Sequence, residues 1–122
     1  PENPDTSACA IREAIHSATG ASVHIVINDS AGRPWRNGVA GFAIGTAGFE
    51  ALVDQIGSPD LFGRPLQITQ IAVADELAAA GSLLMGQGNE GTPVVWVRGL
   101  ALRPSTQGSA TLIRDPAQDL FR

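Results

Sequence analysis

Two stretches carry side chains whose types and spacing can do chemistry. In INDSAGRPWRNG, Ile27 to Gly38, a hydrophobic run gives way to Asp29 and Ser30, an acid and a hydroxyl in succession. Hard divalent cations such as magnesium or manganese take oxygen donors, and at nucleotide sites they use one or two carboxylates while phosphates and water complete the shell. One acid and one hydroxyl are therefore enough, although an Asp-Ser pair in a turn commonly binds nothing. In LMGQGNEGTP, Leu84 to Pro93, the residues Gly86, Gly88 and Gly91 let backbone N–H groups turn toward an anion, and Gln87 offers a neutral carbonyl oxygen. A helix C-cap followed by a hairpin-like loop accounts for the same glycines. Arg33 and Arg36 can grip phosphate or carboxylate through paired hydrogen bonds, and Trp35 can stack on a flat ring. They can equally pair on the surface with the twelve acids.

Positioning these groups requires strands and helices around them. Thr6 or Ser7 is the expected cap of a helix whose apolar positions Ala8, Ile11, Ile15 and Ala18 recur at helical spacing, with Gly20 as its stop and His16 facing water. Ser22 to Asn28 alternates, with Val23, Ile25 and Ile27 on one face and His24 on the other. This reads as a half-buried strand with a structural histidine, and it places Asp29 and Ser30 at the strand exit. NGVAGFAIGTAGF carries Gly38, Gly41, Gly45 and Gly48, a spacing that does not match the GxGxxG dinucleotide fingerprint. It reads as an irregular strand whose glycines admit a second backbone or a ligand, or simply mark bulges and turns. Phe49 to Val53 can continue as strand, Gly57 to Pro65 is a turn region, and the stretch from Ile68 is ambiguous. VADELAAAGSLLM, Val73 to Met85, reads as helix ended by Gly86 and Gly88. TPVVWVRGLAL reads as strand, and DPAQDLF as a short terminal helix with Pro116 in its first turn.

The composition narrows the chemistry further. With 122 residues, 43% of them hydrophobic, one domain with a real core is expected over residues 1–122. No run is long enough to span a membrane and no signal peptide is visible, so the cytoplasm is the expected location. A net charge of −4 disfavours binding nucleic acid by general attraction to phosphate. All eight basic residues are arginine, which removes the P-loop lysine and Schiff-base lysine chemistries. Cys9 cannot form an internal disulfide, and with only His16 and His24 beside it a structural zinc site is not supported, so Cys9 is expected to be a small core residue. The start at Pro1 and the Pro-containing end are what a piece of something longer would show. One echo stands out: DSAGRP, Asp29 to Pro34, and DLFGRP, Asp60 to Pro65, share the pattern D-x-x-G-R-P. At Asp60 ordinary turn chemistry is the expectation, and the flanks do not repeat, so no duplicated domain is inferred.

INDSAGRPWRNG, AIGTAGFEAL, DLFGRPLQITQIAVADELAAAGSLLMGQ, TPVVWVRGL and DPAQDLF, in this order from about Ser7 to Phe121, closely resemble the coenzyme F420-0:L-glutamate ligase family. The resemblance is to the second half of its members; their preceding half, which supplies further nucleotide contacts, another metal-binding aspartate and a nearby asparagine, has no counterpart here. It implies addition of L-glutamate by γ-linkage to the deazaflavin coenzyme F420-0. GTP would be the co-substrate, Mg or Mn the divalent metal, and K a further ion. A carboxylate of the coenzyme would attack the GTP γ-phosphate, and the glutamate amine would displace the resulting acyl phosphate. The family's consecutive Asp and Thr metal ligands match Asp29 and Ser30, one metal ion apiece, with serine keeping the hydroxyl. Its glutamine ligand matches Gln87, and the loop along GTP corresponds to Met85, Gly86, Gln87, Gly88, Asn89, Glu90, Gly91 and Thr92. Arg33 and Arg36 are assigned to an anionic substrate tail.

The resemblance also implies an intertwined homodimer, with the glycine-rich strand suited to close approach between subunits. The fold class expected is α+β, with a mixed or antiparallel sheet and the Val73 to Met85 helix packed on it. Two other functions stand beside the ligase. One is a non-catalytic half-ligase acting as a dimerisation or partner-binding module. The other is a metal-dependent phosphate hydrolase, which would want more carboxylates and a base than this chain clearly supplies.

Overall fold

Asn3-Pro4-Asp5 starts the first helix. In the computed structural model, which describes residues 1–119, helix α1 spans Pro4–Thr19. Asn3 is its N-cap, with Oδ1 accepting from Thr6 N–H at 3.0 Å, and proline occupies the first turn, where a missing N–H costs nothing. The expected caps Thr6 and Ser7 thus lie inside the helix. Gly20, left-handed at φ 73°, ends it as expected. Of the anticipated apolar stripe, Ala8 is buried and Ile15 half-buried, whereas Ile11 and Ala18 face solvent. Cys9 is exposed, contrary to the core placement expected for it, because it stands one residue round the helix from Ala8.

Strand β1, Ile25–Arg33, and strand β2, Arg36–Ala47, form an antiparallel hairpin closed by Pro34 and Trp35. β1 is shifted from the expected Ser22 to Asn28. Asp29 and Ser30 lie within it, opposite Phe42 and Gly41, and not at its exit. The polar residues that looked like a terminus are tolerated because this part of the ribbon is open to solvent. His24 packs edge-on against Phe49 with ring centroids 5.7 Å apart, and Val26 joins the same cluster. Alternation turns Ile25 and Ile27 to the face opposite His24, as expected. His24 is a packing residue, as anticipated. At the hairpin tip Trp35 holds φ 63° with its side chain 91% exposed, in the turn position normally given to glycine or asparagine.

A β-bulge falls where Ile27 pairs with Gly45 and Asn28 pairs with Ala43, leaving Ile44 unpaired. The groups it frees are satisfied from elsewhere: Asp75 Oδ1 accepts from Ala43 N–H at 2.9 Å, and Ser109 Oγ donates to Ile44 O at 2.9 Å.

Helix α2 spans Val73–Met85, the residues the sequence indicates, with Gly86 as C-cap. It packs on the hairpin through Asp75, Ala78 and Ser82, which recur along one face. The approach is close because β2 lacks side chains where it matters. A Cβ on Gly41 would lie 2.6 Å from Ala78 O, and one on Gly45 would lie 2.5 Å from Pro4 of α1. The glycines do admit a second backbone, as anticipated, and at these two positions it belongs to the chain's own helices.

Two further short strands, β3 (Val53–Asp54) and β4 (Gln70–Ile71), pair antiparallel and flank the turn region. Phe49 does not continue β2 into a longer strand. It forms a single bridge to Pro104, and its ring is fully buried with Ala51 and Ala74, packed by Val26, Ala43, Val73, Leu77, Leu102 and Leu112. The architecture is α+β with antiparallel sheets. Thr92 to Leu102, expected as strand, pairs with nothing among the described residues and is irregular, with a bend at Gly99, φ 92°. The expected terminal helix is a 3-10 turn over Pro116–Gln118 after a 3-10 turn over Ser109–Leu112; its Leu120 and Phe121 lie outside the described residues. Among the described residues no helix is long and apolar enough to cross a membrane.

The core is small for so apolar a chain. Its fully buried apolar residues are Phe49 and five alanines, Ala8, Ala47, Ala51, Ala74 and Ala78, whereas Val94, Trp96, Leu83, Leu84 and Ile68 are exposed. The exposed large side chains are spread over the outer face of α2 (Leu83, Leu84), the turn region (Leu61, Phe62) and the unpaired 92–102 segment (Val94, Trp96).

Candidate functional site

The contact between α2 and the hairpin builds a cavity of about 170 Å³ lined by Asn28, Asp29, Ser30, Ser82, Met85, Gly86 and Gln87. It therefore gathers Asp29 and Ser30 from one sequence stretch and Gln87 from the other. β1 sends Asn28 toward α2, where its Nδ2 donates to Ala78 O at 3.3 Å. Two residues on, Ser30 shares that face by strand alternation and sits opposite Gly41, the point of closest helix approach. Between them the Asp29 carboxylate folds back, so that Oδ1 accepts from Ser30 N–H at 2.7 Å. From the other wall, Gln87 Nε2 donates to Ser82 Oγ at 3.0 Å. That bond uses the amide's donor end and leaves its carbonyl oxygen for another partner.

The polar side chains that line it offer oxygen: one carboxylate, two hydroxyls and two side-chain amides, beside the thioether of Met85. Neither histidine nor Cys9 lines the cavity, and among the described residues no group of three His, Cys, Asp or Glu comes together. Such a set fits a hard cation that keeps positions open for phosphate and water, and it does not fit zinc.

The loop after α2 departs from expectation in an instructive way. Its backbone N–H groups do turn toward an anion, and that anion is the chain's own Glu90. Glu90 Oε2 accepts from Gly88 N–H at 2.8 Å. The Glu90 carboxyl is held below its usual pKa first by its own backbone N–H, then by that of Gly88, against a smaller opposing effect of desolvation, with Gln87 N–H adding to the hold. Gly86 holds φ 75°, a conformation that L side chains rarely adopt, so glycine suits this position. Of the eight loop residues assigned to nucleotide, Met85, Gly86 and Gln87 line the cavity; Gly88, Asn89, Glu90, Gly91 and Thr92 do not.

Arg33 and Arg36 pair across the end of the hairpin and do not line the cavity either. Arg36 is exposed, whereas Arg33 is half-buried with Nη1 enclosed and without a hydrogen-bond partner among the described residues. Trp35, at the hairpin tip, is exposed and does not line the cavity. Asn28 and Ser82 are the lining residues that sequence reasoning missed. Asn28 carries a usable signal, since it lies two residues from Ser30 on a strand, whereas the role of Ser82 depends on how α2 lies across Gly41.

The second D-x-x-G-R-P occurrence is a turn, as anticipated. Asp60 Oδ1 accepts from Phe62 and Arg64 N–H at 2.8 and 2.9 Å, and Oδ2 takes the Arg64 side chain at 2.7 Å. The Arg64 backbone N–H chiefly holds its pKa below the ordinary value, outweighing a small desolvation effect, with the Arg64 side chain and Phe62 N–H adding to it.

Comparison with known proteins follows the same residues. The family model of F420-0:gamma-glutamyl ligase matches residues 1–99. The coenzyme F420:L-glutamate ligases of Methanococcus maripaludis, Methanocaldococcus jannaschii and Archaeoglobus fulgidus are 50%, 47% and 46% identical to it over the whole of this chain. In each case the match covers 49% of the relative, so the chain spans about half the length of the curated relatives it matches. The family match over most of the chain and these identities together place it: the chain belongs to the F420-0:gamma-glutamyl ligase family.

Proposed function

We propose that this chain supplies the metal- and phosphate-facing part of a GTP-dependent ligase that joins L-glutamate by γ-linkage to coenzyme F420-0. The observation that carries the reading is the single cavity shared by Asp29, Ser30 and Gln87. Family membership supports the reaction class, and the oxygen atoms of the Asp29, Ser30 and Gln87 side chains suit the chemistry of Mg or Mn.

The chain's own residues divide the work. Asp29 keeps one carboxylate oxygen on Ser30 N–H, which fixes the other toward a ligand. Ser30 adds a hydroxyl on the α2 side. Gln87, held through its NH₂ end by Ser82, presents a neutral oxygen from the opposite wall. A bound divalent cation would neutralise charge on the nucleotide phosphates and align them for transfer. The cavity admits ions and a phosphate group, so the rest of GTP would extend outward along the Gly88 to Thr92 side. In the reaction the coenzyme carboxylate attacks the γ-phosphorus and GDP leaves. The glutamate nitrogen then attacks the acyl carbon, losing a proton as inorganic phosphate departs. K as a further ion, a homodimer and a cytoplasmic setting complete the proposal on the strength of the resemblance.

Isothermal titration of the chain with GTP in the presence and absence of MnCl₂ tests it. The expected result is nucleotide binding that requires metal and is lost in Asp29→Asn. A second reading is favoured by the half-length match: a module that dimerises or binds a partner without turnover. It predicts no metal-dependent GTP binding in the same titration.

A further inference from the structure

The end of the β1–β2 hairpin carries three features that each disfavour the fold. Trp35 holds φ 63°, a left-handed conformation that is unfavourable for a bulky L residue, and its side chain is 91% exposed, so packing does not offset the strain. Arg33 and Arg36 stand opposite each other across the strands, like charge against like. Neither forms an ion pair among the described residues, although the chain has twelve acids and a net charge of −4. Arg33 Nη1 is also enclosed without a hydrogen-bond partner among them. Strain of this kind collects where a ligand supplies the missing contacts. An indole face beside two unpaired guanidiniums suits a flat ring joined to an anion.

An open floor connects this tip to the Asp29 cavity. Register is regular from Asn28 to Gly32, so Gly32 shares the face of Asn28 and Ser30, both of which line the cavity. A Cβ on Gly32 would meet nothing within 4 Å, which leaves a bare track between Ser30 and the tip. Beyond Gly32 the pairing jumps from Val39 to Arg36, and a bulge of this kind bends the end of the ribbon. At about 3.3 Å per residue, Arg33 stands roughly 10 Å from Ser30 along the strand. A ligand that reaches from the cavity to the tip must separate its ring from its reacting group by at least that span.

We propose that the hairpin tip is the platform for the planar ring of the acceptor, the deazaflavin coenzyme. Trp35 stacks on the ring, Arg33 and Arg36 set their charge against its anionic tail, and the tail lies over Gly32 with its carboxylate entering the Asp29 cavity. The identity of the acceptor rests on the ligase function proposed above; a site for a ring and an anion at the tip rests on the hairpin. Guanine is also flat, and the direction of attack separates the two. In-line transfer puts the attacking and leaving oxygens on opposite sides of the γ-phosphorus. With GDP on the Gly88 to Thr92 side, the attacking carboxylate comes from the opposite wall, where β1 runs out to the tip.

The test titrates the chain with coenzyme F420-0 without GTP or metal, and separately with Mn–GTP. Wild type is expected to bind F420-0. Trp35→Gly should weaken that binding roughly 10- to 100-fold, as for bases stacked on aromatic side chains, and leave the Mn–GTP isotherm unchanged. Its thermal midpoint should stay level or rise, because glycine relieves the left-handed strain; a merely structural tryptophan would lower it. Trp35→Phe should restore most of the binding, since a second aromatic face stacks too. Gly32→Leu should also weaken F420-0 binding while keeping the midpoint, because its side chain meets only the open track. No F420-0 binding by wild type, whether or not GTP binds, would overturn the proposal. So would either Trp35→Gly or Gly32→Leu binding F420-0 like wild type, or a lower midpoint in Trp35→Gly. Loss of Mn–GTP binding in Trp35→Gly would assign the indole to guanine and overturn it as well. Wild type that binds F420-0 with the expected losses in the variants, yet binds no Mn–GTP, would sustain the platform and count against the metal-dependent nucleotide site instead.

Discussion

DSAGRP and DLFGRP place Asp, Gly, Arg and Pro at the same four spacings, and the fold makes opposite use of them. In the second, Gly63 adopts φ 80° and the chain turns back, so that Asp60 receives two backbone N–H groups and the Arg64 guanidinium. Its carboxylate is occupied by its own turn. In the first, Gly32 stays extended within β1, the turn is deferred to Pro34 and Trp35, and Asp29 holds one N–H only. A carboxylate with a free oxygen beside a cavity can bind a ligand, whereas one enclosed by local donors serves the loop. The motif alone does not distinguish them; the backbone conformation at its fourth residue does.

Paired substitutions should break this contrast or confirm it. Asp29→Asn should weaken Mn-dependent GTP binding by ~100-fold or more, since even groups that only support a metal ligand are worth 10- to 100-fold. The thermal midpoint should hardly move. Asp60→Asn should do the reverse, lowering the midpoint and leaving the titration unchanged; equal binding losses in both would erase the distinction. Gly41→Ala tests whether the first occurrence depends on how α2 is seated. The added methyl meets Ala78 O and the Ser82 side chain, so a loss of ~1–3 kcal/mol in denaturant unfolding is expected, together with weaker Mn–GTP binding as Gln87 moves away from Ser30.

Smaller effects sharpen the picture. Ser82→Ala removes the acceptor that holds the Gln87 amide and should reduce Mn affinity by ~2- to 10-fold, the worth of one hydrogen bond, with Ser82→Thr restoring it. Glu90→Gln removes the charge that sits on the Gly88 N–H, so GTP should bind a few-fold more tightly; weaker binding would mean that Glu90 contributes to the site directly. Acid gives the smallest signal. Asp60 and Asp5 both have folded-state pKa values lowered from the ordinary range, so the stability each contributes is complete above the unfolded-state value and is lost as pH falls through the folded-state value. Thermal midpoints should therefore decline below about pH 4, and less steeply in Asp60→Asn.

How much of this was legible in the sequence varies with how local the cause is. Helix α2 was readable to the residue because its Ala and Leu content and Gly86 act within a few turns. Asn3 followed by Pro4 was an equally local signal, and Thr6 and Ser7 drew attention from it only by being better-known caps. TPVVWVRGLAL was expected to be a strand and pairs with nothing among the described residues, because β-propensity is local whereas pairing depends on residues distant in sequence. Asp29 and Ser30 were recognised as ligand types, whereas their position inside β1 depended on a hairpin partner running to Ala47. Asn28 was within reach, two residues from Ser30 on the same strand, whereas Ser82 was invisible for a stronger reason. Its place in the lining follows from α2 seated against Gly41 of β2, a relation no window of sequence displays.

Asp5 has a consequence of its own. Burial disfavours its charge, but Ser109 N–H at 3.0 Å, Thr46 N–H at 2.8 Å and the Ser109 hydroxyl at 3.2 Å outweigh that and keep its pKa low. One carboxylate thus buckles the first turn of α1 to a residue 104 positions later. Trimming the first five residues, a routine step in preparing a shorter protein, would unfasten the far end of the chain while leaving the Asp29 pocket, built from other segments, in place.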